Sequence, residues 1–180
     1  MNSEVGRMLR EDHRNVKQLF DQFEAARDKR KKAEIATHAM RELQIHTTLE
    51  EEIVYPVLRD ADEDMYQEAQ EEHHVVKMLI EELHDMSPEE ENFEAKFTVL
   101  SENVKHHIKE EEGEMLPALE NSDFDDEEMS QQMAARKEEL MAGASTGSSS
   151  GSANSGRSSA TPSRSKKSAR SSVTSGSAFS

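Results

Sequence analysis

Apolar residues in the first 142 positions recur with the 3.6-residue period of amphipathic helices. The pattern predicts four long helices and a shorter fifth, at about 3–27, 32–58, 63–86, 88–120 and 124–141. The fourth is predicted to begin at Ser87-Pro88-Glu89-Glu90, which resembles an N-terminal cap. Short connections between long amphipathic helices favour an all-α fold, an antiparallel four-helix bundle with the fifth helix packed across it.

Composition changes sharply after Ala142, and this divides the chain into two predicted regions. Residues 143–180 are mainly Ser and Gly, so we expect a disordered tail after a folded domain at 1–142. The only charged residues of the tail are basic: Arg157, Arg164, Lys166, Lys167 and Arg170. Residues 1–142 therefore hold 17 basic and 38 acidic residues, a formal charge of −21. This charge repels phosphate backbones and argues against nucleic-acid binding by the domain, so only the tail could attract polyanions.

Cysteine and long apolar segments are both missing from the sequence, which narrows the possible classes further. Without Cys there are no disulfides and no thiolate metal sites. The N-terminal residues do not resemble a secretory signal, and no run of apolar residues is long enough to cross a membrane. We therefore expect a soluble, cytoplasmic protein that does not bind membranes.

Comparison of the chain with itself reveals a duplicated helix pair. His13 begins HRNVKQLF in the first predicted helix, and His73 begins HHVVKMLI in the third. His46 begins HTTLEEEIVYPVL in the second, and His107 begins HIKEEEGEMLPAL in the fourth. The two pairs are offset by 60 and 61 residues. Both halves of the domain therefore carry the same polar pattern.

These four histidines fall on the predicted inward faces, where a bundle normally places Leu. His46 and Glu50 are four residues apart, as are His107 and Glu111, so each pair shares one helix face and could bind one ion. Burial of either carboxylate without a partner would cost several kcal/mol, and no inward Arg is evident nearby. A pair of cations is the economical solution, and four imidazoles with two carboxylates suit Fe, Zn or Mn.

The pattern His13, His46-x3-Glu50, His73 and His107-x3-Glu111 on successive helices resembles the hemerythrin-like, or HHE cation-binding, family over about residues 5–140. The resemblance implies a non-haem di-iron centre inside a four-helix bundle. It further implies that Glu50 and Glu111 bridge two iron ions, that histidines complete each end, and that an oxo or hydroxo group could join the ions. An open coordination position would take dioxygen or a related small ligand.

One position departs from the oxygen-carrying members that this chain resembles. Those supply a fifth histidine one turn after the third-helix histidine, where this sequence has Lys77. We expect Lys77 on the face of His73, and a protonated lysine cannot bind a metal, so one iron should keep an open position.

The remaining polar residues near the motif have simpler interpretations. We expect His74 and His106 at the flanks and His38 on the surface, with His84 on the face of His73 but too far along the helix for the same centre. Tyr55 and Tyr66 could lie against the ligands or simply in the core, and we favour the core. In the runs 50–52 and 110–112, only Glu50 and Glu111 are predicted to point inward, and their neighbours to face solvent.

Three functions remain open from the sequence. The first is a di-iron protein that binds or senses O2, NO or iron without turnover. The second is an enzyme that uses the same centre to break down H2O2 or to reduce NO. The third is a structural bundle whose histidines are incidental or hold zinc.

Overall fold

A computed structural model describes residues 3–146, with side chains described to residue 143. Seven α-helices follow one another in this part of the chain: α1 (Glu4–Ala25), α2 (Lys29–Leu49), α3 (Tyr55–Ala61), α4 (Glu63–Asp85), α5 (Phe93–Glu110), α6 (Leu116–Glu120) and α7 (Asp126–Thr146). Between residues 3 and 146 there is no strand. No helix among these residues is long and apolar enough to cross a membrane.

The helices form the predicted bundle because two pairs of them join end to end. A π-helical turn, Glu50–Val54, connects α2 to α3, and a second, Glu111–Met115, connects α5 to α6. Each pair therefore forms one long helical rod with a wider, π-helical turn inside it. The rods pack with α1 and α4 in a closed ring, since α1 contacts α2 and α5, and α4 contacts α2, α3 and α5. The prediction of an all-α four-helix bundle with a fifth helix is confirmed.

Both π-helical turns begin at a glutamate of the duplicated motif. In each, a proline follows soon after the turn: Pro56 in α3 and Pro117 in α6. Proline has no N–H to donate to the preceding turn, which makes a regular α-helix unfavourable at this point. The sequence predicted continuous helices here, so the two widened turns are new features, and such turns often occur at functional sites.

A polar layer, which contains the four motif histidines, divides the apolar core into two clusters. One cluster, in the half of the bundle that includes Phe20, Phe23 and Phe97, packs the predicted inward residues of α1, α2, α4 and α5. The other surrounds Tyr55 and includes Met129 and Met133 of α7. His13 lies between Leu9 of the second cluster and Val16 of the first, and the other motif histidines are placed similarly along their helices.

Two predicted helix ends differ from the structure. Residues 87–92 form turns and bends, and α5 begins at Phe93. The bond expected of the cap is present, from the Ser87 backbone N–H to Glu90 Oε1 (2.7 Å), but the following backbone bonds span three residues, as in Phe93 N–H to Glu90 O (3.2 Å), and close single turns instead of an α-helix. The last helix continues to Thr146 instead of ending near 141. Apart from the part of this helix beyond 142, the predicted disordered tail lies outside the described residues.

Candidate metal centre

Six side chains meet in the polar layer, and they come from α1, from α4 and from the two rods. They are the six predicted from the duplicated motif: His13, His46, Glu50, His73, His107 and Glu111. All are buried, with at most 4% of each residue exposed. Each histidine lies within its helix, whereas each glutamate is the first residue of a π-helical turn. The site is therefore built by rigid elements.

Donor atoms of these residues form two groups, each within 4.8 Å, that share one glutamate. The first group is His13, His46, Glu50 and Glu111, and the second is Glu50, His73 and His107. Glu50 Oε2 lies 3.2 Å from His46 Nε2 and 3.3 Å from His73 Nε2, which places it between the groups. Glu111 Oε2 lies 2.9 Å from His13 Nε2 but 3.9 Å from His107 Nε2.

Within each group, two imidazole nitrogens face each other. His13 Nε2 is 3.2 Å from His46 Nε2, and His73 Nε2 is 3.1 Å from His107 Nε2. Two nitrogen ligands with bonds of about 2.0–2.1 Å to one metal ion lie about 2.9–3.4 Å apart at bond angles near 90–110°. The spacing therefore fits a shared cation.

Carboxylates on the outer side of the histidines fix which ring nitrogen carries the proton. His13 Nδ1 is 3.0 Å from Glu112 Oε1, and His73 Nδ1 is 3.0 Å from Glu51 Oε1. His107 Nδ1 is 2.6 Å from Glu72 Oε2. Donation of Nδ1–H to a carboxylate leaves the Nε2 lone pair directed inward, the arrangement usual for metal-binding histidines. The inward Nε2 lone pairs of facing rings therefore require a cation or a proton between them.

The buried glutamates provide a second indication that a cation is needed. Neither carboxylate oxygen of Glu50 has a hydrogen-bond partner, nor has Oε2 of Glu111. Burial, together with the nearby charge of Glu111, raises the pKa of Glu50 well above its usual range. Burial would also raise the pKa of Glu111, but contact with His13 outweighs it and lowers that pKa. The raised pKa of Glu50 favours its protonated form in the absence of metal, and a bound cation would replace that proton.

Four outer carboxylates were not predicted as part of the site. Glu51 and Glu112 were expected to face solvent, but they contact His73 and His13 and are only 23% and 34% exposed. The duplicated sequence could have indicated Glu51 and Glu112, because each directly follows a motif glutamate. Asp12 and Glu72 likewise each precede a motif histidine. Asp12 Oδ2 lies 4.0 Å from His46 Nδ1, beyond hydrogen-bonding distance.

Tyr55 is buried as predicted, but its hydroxyl belongs to the centre. The oxygen lies 3.0 Å from His73 Nε2, and the two rings stack with centroids 5.1 Å apart. Burial and the surrounding glutamates, Glu50 first, raise the pKa of Tyr55 well above its usual range. The phenol therefore stays protonated and can donate a hydrogen bond.

Lys77 lies one turn beyond His73 and shares its partner, because its ammonium is 2.6 Å from Glu51 Oε1, the oxygen that also contacts His73 Nδ1 at 3.0 Å. The ammonium points outward, and the side chain is 45% exposed. The open coordination position expected from a lysine here stays a prediction.

Among the histidines outside the motif, His38, His74 and His106 are exposed as expected. His84, expected on the face of His73, is exposed as well, because it lies at the end of α4, one residue before Asp85.

A small cavity adjoins the four inward imidazoles. It offers about 10 Å³ to the centre of a water-sized molecule, and its walls present carbon atoms. Besides the histidines, it is lined by Val16, Leu43, Thr47, Val76, Val104 and Ile108. The only hydroxyl in this set, that of Thr47, donates to Gln44 O at 3.3 Å.

Similar proteins are known from comparisons of both sequence and structure. A solved hemerythrin HHE cation-binding domain-containing protein from Mycobacterium kansasii matches with a TM-score of 0.70 and 25% identity, over 81% of this chain and 91% of that chain. A DNA nickase of Nostoc sp. is 29% identical over 64% of this chain and 33% of its own length. An uncharacterized hemerythrin-like protein of Schizosaccharomyces pombe is 28% identical over 61% of this chain and 56% of its own length. The similar region thus spans only a third to about half of these two relatives.

The family match covers the helices that carry all six inward side chains of the candidate centre. Residues 5–119 match the family described as Hemerythrin HHE cation binding domain. The match ends before α7 begins. Since it covers more than half of the chain, the protein belongs to the hemerythrin HHE cation-binding family.

Proposed function

We propose that this protein holds two non-haem iron ions in the polar layer and binds a small uncharged ligand, O2 or NO, beside them. His13, His46 and Glu111 would hold one ion, and His73 and His107 the other. Glu50, which reaches histidines of both groups at 3.2 and 3.3 Å, is the observation that carries the proposal. Two facing donor groups that share a carboxylate are typical of paired metal sites in helix bundles.

Iron is favoured by the family and is compatible with the donors. Imidazole nitrogens with carboxylate oxygens also suit zinc and manganese, so the donor set alone does not select iron. When bound, ferrous ions would supply the electrons for reaction with the ligand. The protein's own groups hold the ions rigidly, keep the Nε2 lone pairs directed inward and exclude bulk water.

The cavity favours a small, uncharged ligand. A space of about 10 Å³ is near the minimum for one water molecule. Its carbon-lined walls offer no partner for a charged or strongly hydrated anion, which would lose its hydration on entering. This environment supports O2 or NO binding.

A second candidate function, breakdown of hydrogen peroxide, is favoured by Tyr55. Its protonated hydroxyl lies beside His73, within the group that has fewer protein donors. A buried phenol at this point can donate a proton to a departing oxygen atom, which peroxide cleavage requires. We do not propose DNA nicking, because the charge of −21 over residues 1–142 repels phosphate backbones.

Anaerobic loading with Fe(II) followed by exposure to O2, NO and H2O2 tests these functions. We expect about two irons per chain, in line with the two donor groups, and an absorption change with O2 or NO. Oxygen evolution from H2O2 would identify the second function. The adjacent histidines offer a matched control: His107→Ala should reduce iron content, whereas His106→Ala, an exposed neighbour, should not. Equal iron content in both variants, or no uptake by the wild type, would contradict the proposal.

A further inference from the structure

Helix α7 lies beyond the family match, yet it contacts the layer around the centre. It packs against α1, α2 and the π-helical turn Glu50–Val54. Met129 and Met133 bury its inner face. Two consecutive basic residues then join it to the bundle: Arg136 binds both oxygens of Glu52 at 2.7 and 3.0 Å, and Lys137 binds Asp12.

The Lys137 contact leads to a metal-site histidine, whereas the Arg136 contact does not. Lys137 Nζ pairs with Oδ1 of Asp12, and Oδ2 of the same carboxylate faces His46 Nδ1 at 4.0 Å. Asp12 is buried, with its side chain 11% exposed. His46 Nδ1 is also buried and has no hydrogen-bond partner, so Asp12 is the acidic group beside it. Glu52, the partner of Arg136, is exposed and has no ion pair with a histidine of the centre.

A related arrangement, in which the carboxylate is within hydrogen-bonding distance of the imidazole, occurs twice elsewhere in the layer. Lys17 lies 3.2 Å from Glu112, which binds His13, and Lys77 lies 2.6 Å from Glu51, which binds His73. In each case a lysine holds the carboxylate that contacts an inward imidazole. The duplicated motif supplies those two lysines, but the lysine beside Asp12 comes from α7.

We propose that Lys137 is a positioning residue through which α7 strengthens metal binding at the His13–His46 end of the centre. The inference rests on the proposed two-metal function. The ion pair with Lys137 holds Asp12 inside the bundle with one oxygen toward His46. Without it, the short carboxylate gains hydration by turning toward solvent, and the buried Nδ1–H of His46 loses the acidic group that orients its ring.

Two neighbouring substitutions separate this role from simple docking of the helix. Lys137→Met and Arg136→Met each remove an ion pair between α7 and the bundle, at side chains that are 26% and 36% exposed. Without metal, Lys137→Met should melt below Arg136→Met, because it leaves the buried Asp12 without its cation, whereas Glu52 is exposed. Only Lys137→Met should alter metal release, and Lys137→Arg should restore it, because Arg can also bind Asp12.

The measurement is iron release from full-length protein, loaded with Fe(II) without oxygen and mixed with an excess of chelator. Loss of an outer contact commonly weakens metal binding about 10–100-fold, and Lys137 acts one contact further away, so we expect about 3–10-fold faster release of one of the two irons. Arg136→Met should release iron like the wild type. Addition of Lys137→Met to Asp12→Asn should cause no further change, since both act through one contact.

Each outcome bears on the inference. Identical release from Lys137→Met and Arg136→Met would overturn it, as would equal acceleration of both irons, which would indicate general loosening. A wild type that binds no metal would overturn the proposed function as well. Normal loading with unchanged release would overturn the role of Lys137 alone.

Discussion

The two ends of the candidate centre share a motif but differ in their surroundings. The His13–His46 end brings four donor residues within 4.8 Å, and the His73–His107 end brings three. The difference arises from Glu111, which lies 1.0 Å closer to the histidine at the first end than to the one at the second (2.9 against 3.9 Å). The second end therefore has fewer protein donors within this distance.

Residues outside the motif increase this asymmetry. Tyr55 places a hydroxyl beside His73, whereas the repeat-equivalent position, nine residues past His107, is Leu116. The first end is instead covered by α7 and braced by Lys137. Duplication thus supplies two similar sets of inward side chains, and a few unrepeated neighbours give the two ends different surroundings.

The largest expected effect comes from removing each glutamate in turn. Because Glu50 belongs to both donor groups, Glu50→Ala should lose nearly all iron. Glu111→Ala should mainly lose the ion of the first end, leaving about one iron per chain. Elemental analysis of the purified variants would measure this, with Glu114→Ala, an exposed residue in the same π-helical turn, as the control. Full metal content in both Glu50→Ala and Glu111→Ala would refute the centre.

The tyrosine tests whether the second end is the reactive one. If the protein breaks down peroxide, Tyr55→Phe should reduce the turnover rate about 100-fold, the usual contribution of a positioned proton donor. Iron content should not change, because the ring remains. Tyr66→Phe removes the other tyrosine hydroxyl, whose ring centroid lies 6.1 Å from that of Tyr55, and should have little effect. Oxygen evolution at equal rates in both variants would assign the proton to another group.

The two glutamates should affect the pH dependence of the metal-free protein in opposite directions. The pKa of Glu50 is raised in the folded state, so its contribution to stability is present at low pH and is lost as pH rises through that pKa. At pH 8, the free energy of unfolding of metal-free Glu50→Gln should therefore exceed that of the metal-free wild type by about 1–3 kcal/mol, the cost of a buried unsatisfied group. In acid, the two free energies of unfolding should be equal.

The pKa of Glu111 is lowered, so its contribution is present above the ordinary glutamate pKa and is lost as pH falls. At neutral pH, metal-free Glu111→Gln should accordingly have a lower free energy of unfolding than the wild type. In acid this difference should disappear, because the wild type then loses the contribution of Glu111. Urea unfolding with chelator, across a pH series, measures both differences. Parallel curves for the two variants would contradict the assignment of the shared proton to Glu50.

The smallest expected effect comes from removing the basic C-terminal segment, residues 147–180. Truncation after Thr146 keeps all of α7 and removes no residue of either end, so iron content and absorption should stay unchanged. A longer truncation, before Lys137, should weaken the first end only. Loss of iron in the shorter truncation would show that the C-terminal segment takes part in the centre.

Much of this organisation was predictable because it depends on local periodicity. The residues HxxxE place a ring nitrogen and a carboxylate on one face of one helix, whatever the helix packs against. Two copies in fixed order predicted a bundle with its polar groups in one layer. Proline was visible in the sequence after each glutamate, but the π-helical turns were not predicted, because helical periodicity assumes regular geometry.

The amino-acid sequence by itself determined the four-helix bundle, the duplicated halves and the six inward side chains. Only the tertiary structure decided which residues meet across helices: Glu51 with His73, Tyr55 with His73, and Lys137 with Asp12. These contacts depend on the rotation and stagger of each helix against its neighbours, which a period of 3.6 residues leaves undetermined. Lys77 shows the limit clearly: the sequence placed it one turn from His73, but only the tertiary structure showed that its ammonium binds Glu51, the partner of His73.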